Sequence, residues 1–294
     1  MKSTIGKKRG YEIFDIAVLI ILTLWALVIL YPVYNTILVS VVSEAEYQRA
    51  SVLLFPEKLD FLSYRMVFAN DKIINGFKVT LIVTIAGLAY NMFLTVTAAY
   101  ALSRSDYPGK KMFNYIVVFT MYFSGGLIPT YLLTVGLGLG NKLSAMILPY
   151  GINVFYMLVI KNYFSNITPS LEESARIEGA NDIYILWKII LPVSKPVIAT
   201  FVLFYAVDRW NEWYNGLLYM RSIAKWPLQL VLRQMLASIE MADRSDIPMS
   251  VKTDVFSDGV RMAAVVVTAF PIMCFYPFLQ KHFIKGIMIG SVKG

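Results

Sequence analysis

The chain has 294 residues, of which 57% are apolar and only 16% are charged. Soluble domains carry about 25% charged residues, so a soluble protein of this composition would lack the polar side chains to cover its surface. A single Cys and a single His exclude a disulfide framework and a dense Cys/His metal site. The net charge of +8 could suggest a nucleic-acid partner, depending on where the basic residues lie. Because apolar residues are in excess and charged residues are few, part of the protein surface is expected to contact lipid.

Apolar segments of membrane-spanning length recur along the chain. A bilayer core about 30 Å thick takes about 20 apolar helical residues. Five segments approach or exceed this length, and a sixth, from Pro196 to Val207, has only twelve uncharged residues. Taken alone, the sixth would also suit a buried core helix or a re-entrant segment, but including it places both termini on one side. We predict one membrane domain over 1–294, with spans at approximately 14–35, 78–102, 112–135, 143–161, 194–214 and 261–281.

The distribution of charge orients these spans. One side of the predicted topology carries fourteen basic residues against five acidic ones, whereas the longer loops of the other side carry eleven against twelve. Basic residues mark the cytoplasmic side, so both termini and the loop at 162–193 are predicted to be cytoplasmic. The net charge of +8 is therefore attributed to membrane topology, and no nucleic-acid partner is expected. The basic N-terminus partly resembles a signal peptide, but the long apolar run without a small-residue cleavage site favours a retained first span.

The loop at 162–193 contains dense helix signals. Ser170, followed three residues later by Glu173, has the pattern of a capping box. Gly179 offers a left-handed stop, and Asp182 is placed to cap a second helix. We predict two short cytoplasmic helices joined at Gly179, which is more structure than a simple connector needs.

The same loop resembles a known signature. It contains Glu173-Ser174-Ala175, then after three residues Gly179-Ala180, and later Ile189-Ile190-Leu191-Pro192. This pattern is similar to the EAA signature in permease subunits of bacterial ABC importers, with Ser174 in place of the first Ala. Other segments resemble the sugar-importer branch of that family: Leu54-Phe55-Pro56, residues 99–104, Tyr107-Pro108-Gly109-Lys110 and Trp210-Asn211. The tail from 280 to 294 is similar to the tails of permeases in the subgroup that transports oligosaccharides and polysaccharides.

The resemblance implies an all-α membrane protein: six transmembrane helices with a cytoplasmic two-helix coupling loop, the type I ABC importer permease fold. In that family the coupling loop sits in a groove on a separate ATPase subunit. The residues that it assigns here to ATPase coupling are Glu172, Glu173, Ala175, Ile177, Gly179 and Ala180. Ile183 and Leu186 are further candidates for packing in the groove, whereas Glu173 could also act only as a local cap.

The implied partners are a second permease subunit, two ATPase subunits, an extracytoplasmic solute-binding protein and a carbohydrate. The sequence contains no G-x-x-x-x-G-K-[ST] phosphate-binding motif, so ATP and Mg²⁺ are expected on the partner ATPase. This chain is expected to be a non-catalytic subunit without a metal or cofactor of its own. The implied location is the cytoplasmic membrane of a bacterium.

Polar and aromatic side chains crowd the outer end of the weak span, at residues 208–215. Aromatic rings suit the apolar faces of sugars, and ionisable groups at membrane depth are functional candidates. The predicted substrate path consists of Trp210, Asn211, Trp213, Tyr214 and Asn215. The alternative is an interfacial aromatic belt in which Asp208 and Glu212 pair with Arg209 near the lipid headgroups.

The outer loop at 219–259 is long for a connector. It contains an amphipathic stretch from Leu228 to Ile239 and an acidic end from Asp243 to Asp258. The resemblance implies that a binding protein docks on this side. The loop is therefore expected either to touch that protein or to pack as a cap over the pore mouth.

Together these patterns predict a subunit of an ATP-driven carbohydrate importer. The alternative is an ATP-independent secondary transporter or a channel for a polar solute. That class would place ionisable groups deep in several spans, and the five clear spans contain none.

Overall fold

The computed structural model describes residues 13–50, 53–104, 108–244 and 256–291. The α-helices in these ranges follow in the order α1 (Ile13–Ser40), α2 (Glu44–Arg49), α3 (Leu62–Phe68), α4 (Asp71–Ser103), α5 (Lys110–Tyr122), α6 (Leu127–Gly136), α7 (Ser144–Ile147), α8 (Val154–Ser165), α9 (Ser170–Ile177), α10 (Asp182–Ile185), α11 (Leu191–Val193), α12 (Lys195–Trp210), α13 (Tyr214–Tyr219), α14 (Leu228–Arg244) and α15 (Ser257–Ser291). Tighter 3₁₀ turns cover Leu148–Tyr150 and Ile223–Lys225, and a π-helical turn covers Leu186–Ile190. The predicted all-α fold is confirmed.

Three helices are long and apolar enough to cross a bilayer unbroken: α1, α4 and the first half of α15. Three further candidates are pairs of helices bent at a short break. The bend is 108° between α5 and α6, 48° between the Ser144–Tyr150 segment and α8, and 89° between the Asp182–Val193 segment and α12. Counting each pair once gives up to six candidate spans within the described ranges. Two of the predicted spans, 112–135 and 143–161, are therefore broken helices.

The described residues fall into two compact units. The first unit draws on the described parts of 1–69 and 246–267. Its core contains Val39, Val67 and Ala263, and the hydroxyl groups of Ser40 and Tyr64 lie 2.8 Å apart within hydrogen-bond distance.

The second unit comprises the described parts of 70–245 and 268–294, and α4 lies at its centre. The neighbours of α4 there include α8, α12 and α14. One core cluster joins α4, α8, α12 and the loop after α8, and its largest fully buried side chains are Phe164, Ile160, Ile185 and Ile190. This core fixes the cytoplasmic loop to the bundle.

Asparagine side chains cap the N-termini of three of these helices. Asn70 accepts a hydrogen bond from the amide of Lys72 at the start of α4 (3.0 Å), and Asn153 accepts one from Tyr156 in α8 (3.2 Å). Asn181 caps α10 in the same way. Each cap satisfies one of the amide groups that a helix leaves unpaired at its first turn.

The amphipathic stretch predicted in the outer loop is the helix α14, which packs on α4. The amide of Leu228 donates to the hydroxyl of Thr80 (2.8 Å), and a Cβ added at Gly76 would lie 3.1 Å from the Cα of Leu228. This close approach favours the packed-cap alternative for the first part of the loop. Most of the acidic end, at 245–255, lies outside the described residues, as do the N-terminal basic residues, Tyr107 and residues 292–294.

Candidate functional site

The cytoplasmic loop contains two short helices joined at Gly179, as the sequence predicts. Gly179 has φ = +84°, and the amide of Ala180 donates to the carbonyl of Ala175 (2.9 Å), which closes the end of α9. No atom lies within 4 Å of a Cβ added at Gly179. The glycine is therefore needed for its left-handed backbone and not for space.

Both predicted caps of these helices are wrong. Ser170 is the first helical residue of α9 after Pro169, and no side-chain cap forms there; the hydroxyl of Ser174 instead donates to the carbonyl of Ser170 (2.9 Å). Asn181, rather than Asp182, caps α10. Asp182 accepts a hydrogen bond from Arg176 (2.6 Å), so it links the two helices across the turn.

A buried ion pair ties the loop to the end of α4. Glu172 pairs with Arg104, and their side chains are only 10% and 18% exposed. The guanidinium of Arg104 also lies 4.6 Å from the ring centre of Tyr100 and donates to the hydroxyl of Ser103. Sequence reasoning missed Arg104 as a partner, although it is a basic residue in a cytoplasmic turn on the same side as the loop.

The predicted coupling residues therefore point in two directions. Glu172 and Ala175 face the interior of this chain, whereas Glu173 is exposed. Gly179 is exposed at the turn and Ala180 is half-buried. Leu186, a candidate for packing in a partner's groove, is instead buried in this chain's own core because it belongs to the cluster formed with α4 and α8.

The loop exposes several large apolar and aromatic side chains among charged ones. They are Leu171, Ile177 (88%), Ile183 (71%), Tyr184 and Trp187. Exposed apolar side chains on a structured loop are candidates for a protein contact.

The residues of the predicted substrate path do not share one surface. Trp210 is buried, donates to the carbonyl of Thr268 (3.0 Å) and meets the ring of Phe77 edge-on. Asn215 is also buried and donates to the carboxylate of Glu212 (3.0 Å). Trp210 thus ties the end of α12 to Thr268, and Asn215 closes the turn between α12 and α13.

The other three are accessible at that end. Asn211 is exposed and accepts a hydrogen bond from Gln229 (3.2 Å). The ring of Trp213 is covered by the guanidinium of Arg233 at 4.0 Å, and Tyr214 meets Trp213 edge-on at 5.5 Å. The structure thus leaves Asn211 and Tyr214 exposed, with Trp213 partly covered between its neighbours.

Arg209 is only 5% exposed, and its closest partners are not the acids of the belt alternative, Asp208 and Glu212. Its Nε donates to Asn91 Oδ1 (2.9 Å), and its two terminal nitrogens donate to the carbonyls of Met146 (2.6 Å) and Tyr150 (2.7 Å). Asn91 also donates to the carbonyl of Tyr150 (2.7 Å). Glu212, at 3.9 Å, is a weaker partner.

These bonds satisfy the backbone groups freed where the fourth span breaks. The chain between Tyr150 and α8 is not helical, and unpaired backbone groups in a bilayer cost several kcal/mol each. Asn91 also serves the carbonyl of Gly151, and the hydroxyl of Tyr205 accepts from the amide of Asn153 (2.9 Å). We call Arg209, Asn91 and Tyr205 the break clamp.

Known proteins resemble this chain over nearly its whole length. No family model matches the chain. It is 42% identical over 285 residues to the polygalacturonan/rhamnogalacturonan transport system permease protein YtcP of Bacillus subtilis, covering 96% of this chain and 99% of that protein. It is 40% identical over 293 residues to protein LplC of the same species, covering 99% and 98%.

A solved structure agrees as well. The crystal structure of a bacterial ABC transporter involved in the import of the acidic polysaccharide alginate contains a chain that matches with a TM-score of 0.84 and 31% identity, covering 95% of this chain and 100% of that chain. The helical fold and the loop after α8 define a multi-pass membrane permease. The chain belongs to the family of permease subunits of ABC importers for oligosaccharides and polysaccharides.

Proposed function

We propose that this permease passes oligosaccharide fragments, delivered by an extracytoplasmic binding protein, across the cytoplasmic membrane of a bacterium. The substrate class is supported by its relatives, since YtcP is named for polygalacturonan and rhamnogalacturonan and the matching structure for alginate. Fragments of polysaccharides that contain uronic acid are therefore the first substrates to test.

The two-sided cytoplasmic loop carries this proposal. Its inner side is held to the chain by the buried pair of Glu172 and Arg104, while its outer side exposes Ile177 and Ile183. A rigid element that exposes apolar side chains is suited to transmit a push from a partner. In the proposed assembly Glu173, Ile177 and Ile183 face the ATPase, and Gly179 with Ala180 sets the angle between the two helices.

The proposed assembly contains a second, different permease chain and two ATPase subunits, which bind ATP and Mg²⁺. This chain supplies one half of the wall of the path and does not hydrolyse ATP itself. Both termini and the loop at 162–193 lie on the cytoplasmic side.

Co-purification tests this assembly directly. The tagged chain is extracted in mild detergent, its partners are identified by mass spectrometry, and ATP hydrolysis is assayed in the same sample. We expect a second permease and an ATPase to co-purify. Reconstituted vesicles with the binding protein enclosed or added should then take up size-fractionated oligogalacturonides in the presence of ATP.

Gly179→Asp is expected to abolish ATP-driven uptake while the protein still reaches the membrane. A Cβ at this left-handed position costs roughly 1–2 kcal/mol and would turn α10 away from the ATPase. Uptake and ATP hydrolysis are measured in reconstituted vesicles at equal protein levels.

Gly138→Asp is the matched control. Gly138 also has a positive φ (+72°), and no atom lies within 4 Å of a Cβ added there, but it follows α6 on the predicted outer side. It should retain most of the uptake. Normal transport by Gly179→Asp, together with a homo-oligomer that binds no ATPase, would favour the channel or secondary-transporter alternative.

A further inference from the structure

Asp208 is an exposed carboxylate within the predicted span 194–214. Asp208 lies thirteen residues after Lys195, the first residue of α12. At 1.5 Å per residue this is about 20 Å along the helix, within a hydrocarbon core about 30 Å thick. The side chain of Asp208 is exposed in this chain. Because ionisable groups at such depth avoid lipid, it faces either water or another protein chain.

The neighbour of Asp208 is an aromatic residue held in a fixed position. The hydroxyl of Tyr156 donates to Oδ2 of Asp208 (3.1 Å). The ring of Tyr156 packs against three others, whose centres lie 5.0 to 5.6 Å away: Tyr205, Phe201 and Phe204. Phe155, next to Tyr156, is 54% exposed. This gives a rigid aromatic wall beside an exposed carboxylate.

An amide completes the group at the break of the fourth span. Asn153 is exposed and lies three residues before Tyr156, so both occupy one side of the first turn of α8. Its Oδ1 already accepts from the amide of Tyr156, so its Nδ2 is the group that remains to donate to a ligand. Breaks of this kind at membrane depth are typical of substrate sites in transporters.

We propose that Asn153, Tyr156 and Asp208 form a subsite for one sugar ring in the translocation path. The inference rests on the carbohydrate transport proposed above. The carboxylate of Asp208 accepts hydrogen bonds from sugar hydroxyls, Nδ2 of Asn153 donates to a sugar oxygen, and the apolar side of the ring lies near the aromatic wall of Tyr156 and Phe155.

The charge of Asp208 also sets the orientation of the sugar. A carboxylate of a uronic acid would be repelled by Asp208 at hydrogen-bond distance, so the subsite receives an edge that carries hydroxyls. An ion pair with the second permease would need a carboxylate but neither the aromatic wall nor the exposed amide. This combination therefore favours the sugar path over the partner chain.

Thiol labelling in the assembled transporter tests whether Asp208 faces the path. Asp208→Cys is made together with Cys274→Ala, which removes the native thiol, and the complex is treated with a charged, water-soluble methanethiosulfonate reagent. We expect rapid labelling that slows at least about fivefold when the imported oligogalacturonide is present during turnover. Leu24→Cys, exposed in the apolar middle of α1, is the control and should stay unlabelled. An unreactive thiol at 208, or labelling that the sugar does not slow, overturns the subsite.

Uptake by Asp208→Asn provides the second measurement. The loss of one charge-assisted hydrogen bond should raise the half-saturating sugar concentration about tenfold at an unchanged membrane level. Asp71→Asn, an exposed acid in the first turn of α4, should leave it unchanged. An unchanged value in Asp208→Asn overturns the subsite alone, because the wild-type complex still imports sugar. If the wild-type complex imports no saccharide, the proposed function fails and the subsite fails with it.

Discussion

At the scale of single residues, the greatest difference between sequence and structure concerns Arg209. Its neighbours Asp208 and Glu212 suggested an ion pair near the headgroups. In the structure it is bonded to two backbone carbonyls of the Ser144–Tyr150 segment and to Asn91 of α4. Hydropathy could not find this role, because the need for a buried donor arises only where the fourth span breaks and leaves its carbonyls unpaired.

Arg209→Met should strongly destabilise the membrane domain. It removes three hydrogen bonds, takes the donor from the carbonyl of Met146 and leaves that of Tyr150 with Asn91, and breaking a buried charged network typically costs about 3–5 kcal/mol. The measurement is resistance to proteolysis of the detergent-purified complex as the temperature is raised.

Arg233→Met is the comparison for that experiment. Arg233 is exposed and covers only the ring of Trp213, so its loss should cost about 1 kcal/mol or less. Asn91→Ala combined with Arg209→Met should be less than additive, because both act on the carbonyl of Tyr150. Equal stability of Arg209→Met and Arg233→Met would contradict the break clamp.

At the scale of elements, the cytoplasmic loop shows which local signals decide structure. The left-handed stop at Gly179 is predicted correctly, because a positive φ depends on one residue and its turn. The sequence predicts the cap of α10 one residue too late, at Asp182 instead of Asn181. Asn181 and Asp182 are both good capping residues, and the choice depends on Arg176, which pairs with Asp182 from the other helix. The contact between the two helices thus decides which of two suitable residues becomes the cap.

Glu172→Gln should uncouple ATP hydrolysis from transport. The charge that binds the loop to Arg104 is lost while size and shape are kept, so the loop would move without carrying α4 with it. We expect the number of sugars imported per ATP to fall severalfold, with ATP hydrolysis largely retained. Transport and hydrolysis are measured in the same vesicles.

Arg176→Gln is the matched control for this prediction. Its pair with Asp182 is 47% and 63% exposed, and exposed ion pairs contribute about 0–1 kcal/mol. It should transport nearly as well as the wild type. A normal ratio of transport to hydrolysis in Glu172→Gln would show that the pair with Arg104 has no mechanical role.

At the scale of the whole molecule, composition predicted a multi-pass membrane chain and the positions of its apolar segments. It could not predict the bends of 108°, 48° and 89°, since hydropathy measures the content of a segment and not its direction. Nor could it predict which of the polar and aromatic residues at 210–215 are buried and which are exposed. Trp210 and Asn215 are buried by their partners, Thr268 and Glu212, of which Thr268 lies far along the chain.

The chain should accumulate poorly in membranes unless the second permease is co-expressed. Without that partner and a water-filled path between them, the exposed Asp208 and Asn153 would meet lipid, which is unfavourable for a charged group. Quantitative immunoblots of membranes from cells that express one or both chains measure this. Equal levels of the chain alone and with its partner would contradict it.

The absence of a side chain at Gly87 limits how this protein is able to diverge. A Cβ there would lie 3.0 Å from both Cδ and Nε of Arg209. A lineage that acquires alanine at 87 would have to displace the arginine, and one that loses the arginine would leave an empty volume beside position 87. An alanine at 87 would therefore be tolerated only if Arg209 shifts or is replaced, although the two positions lie more than a hundred residues apart in the sequence.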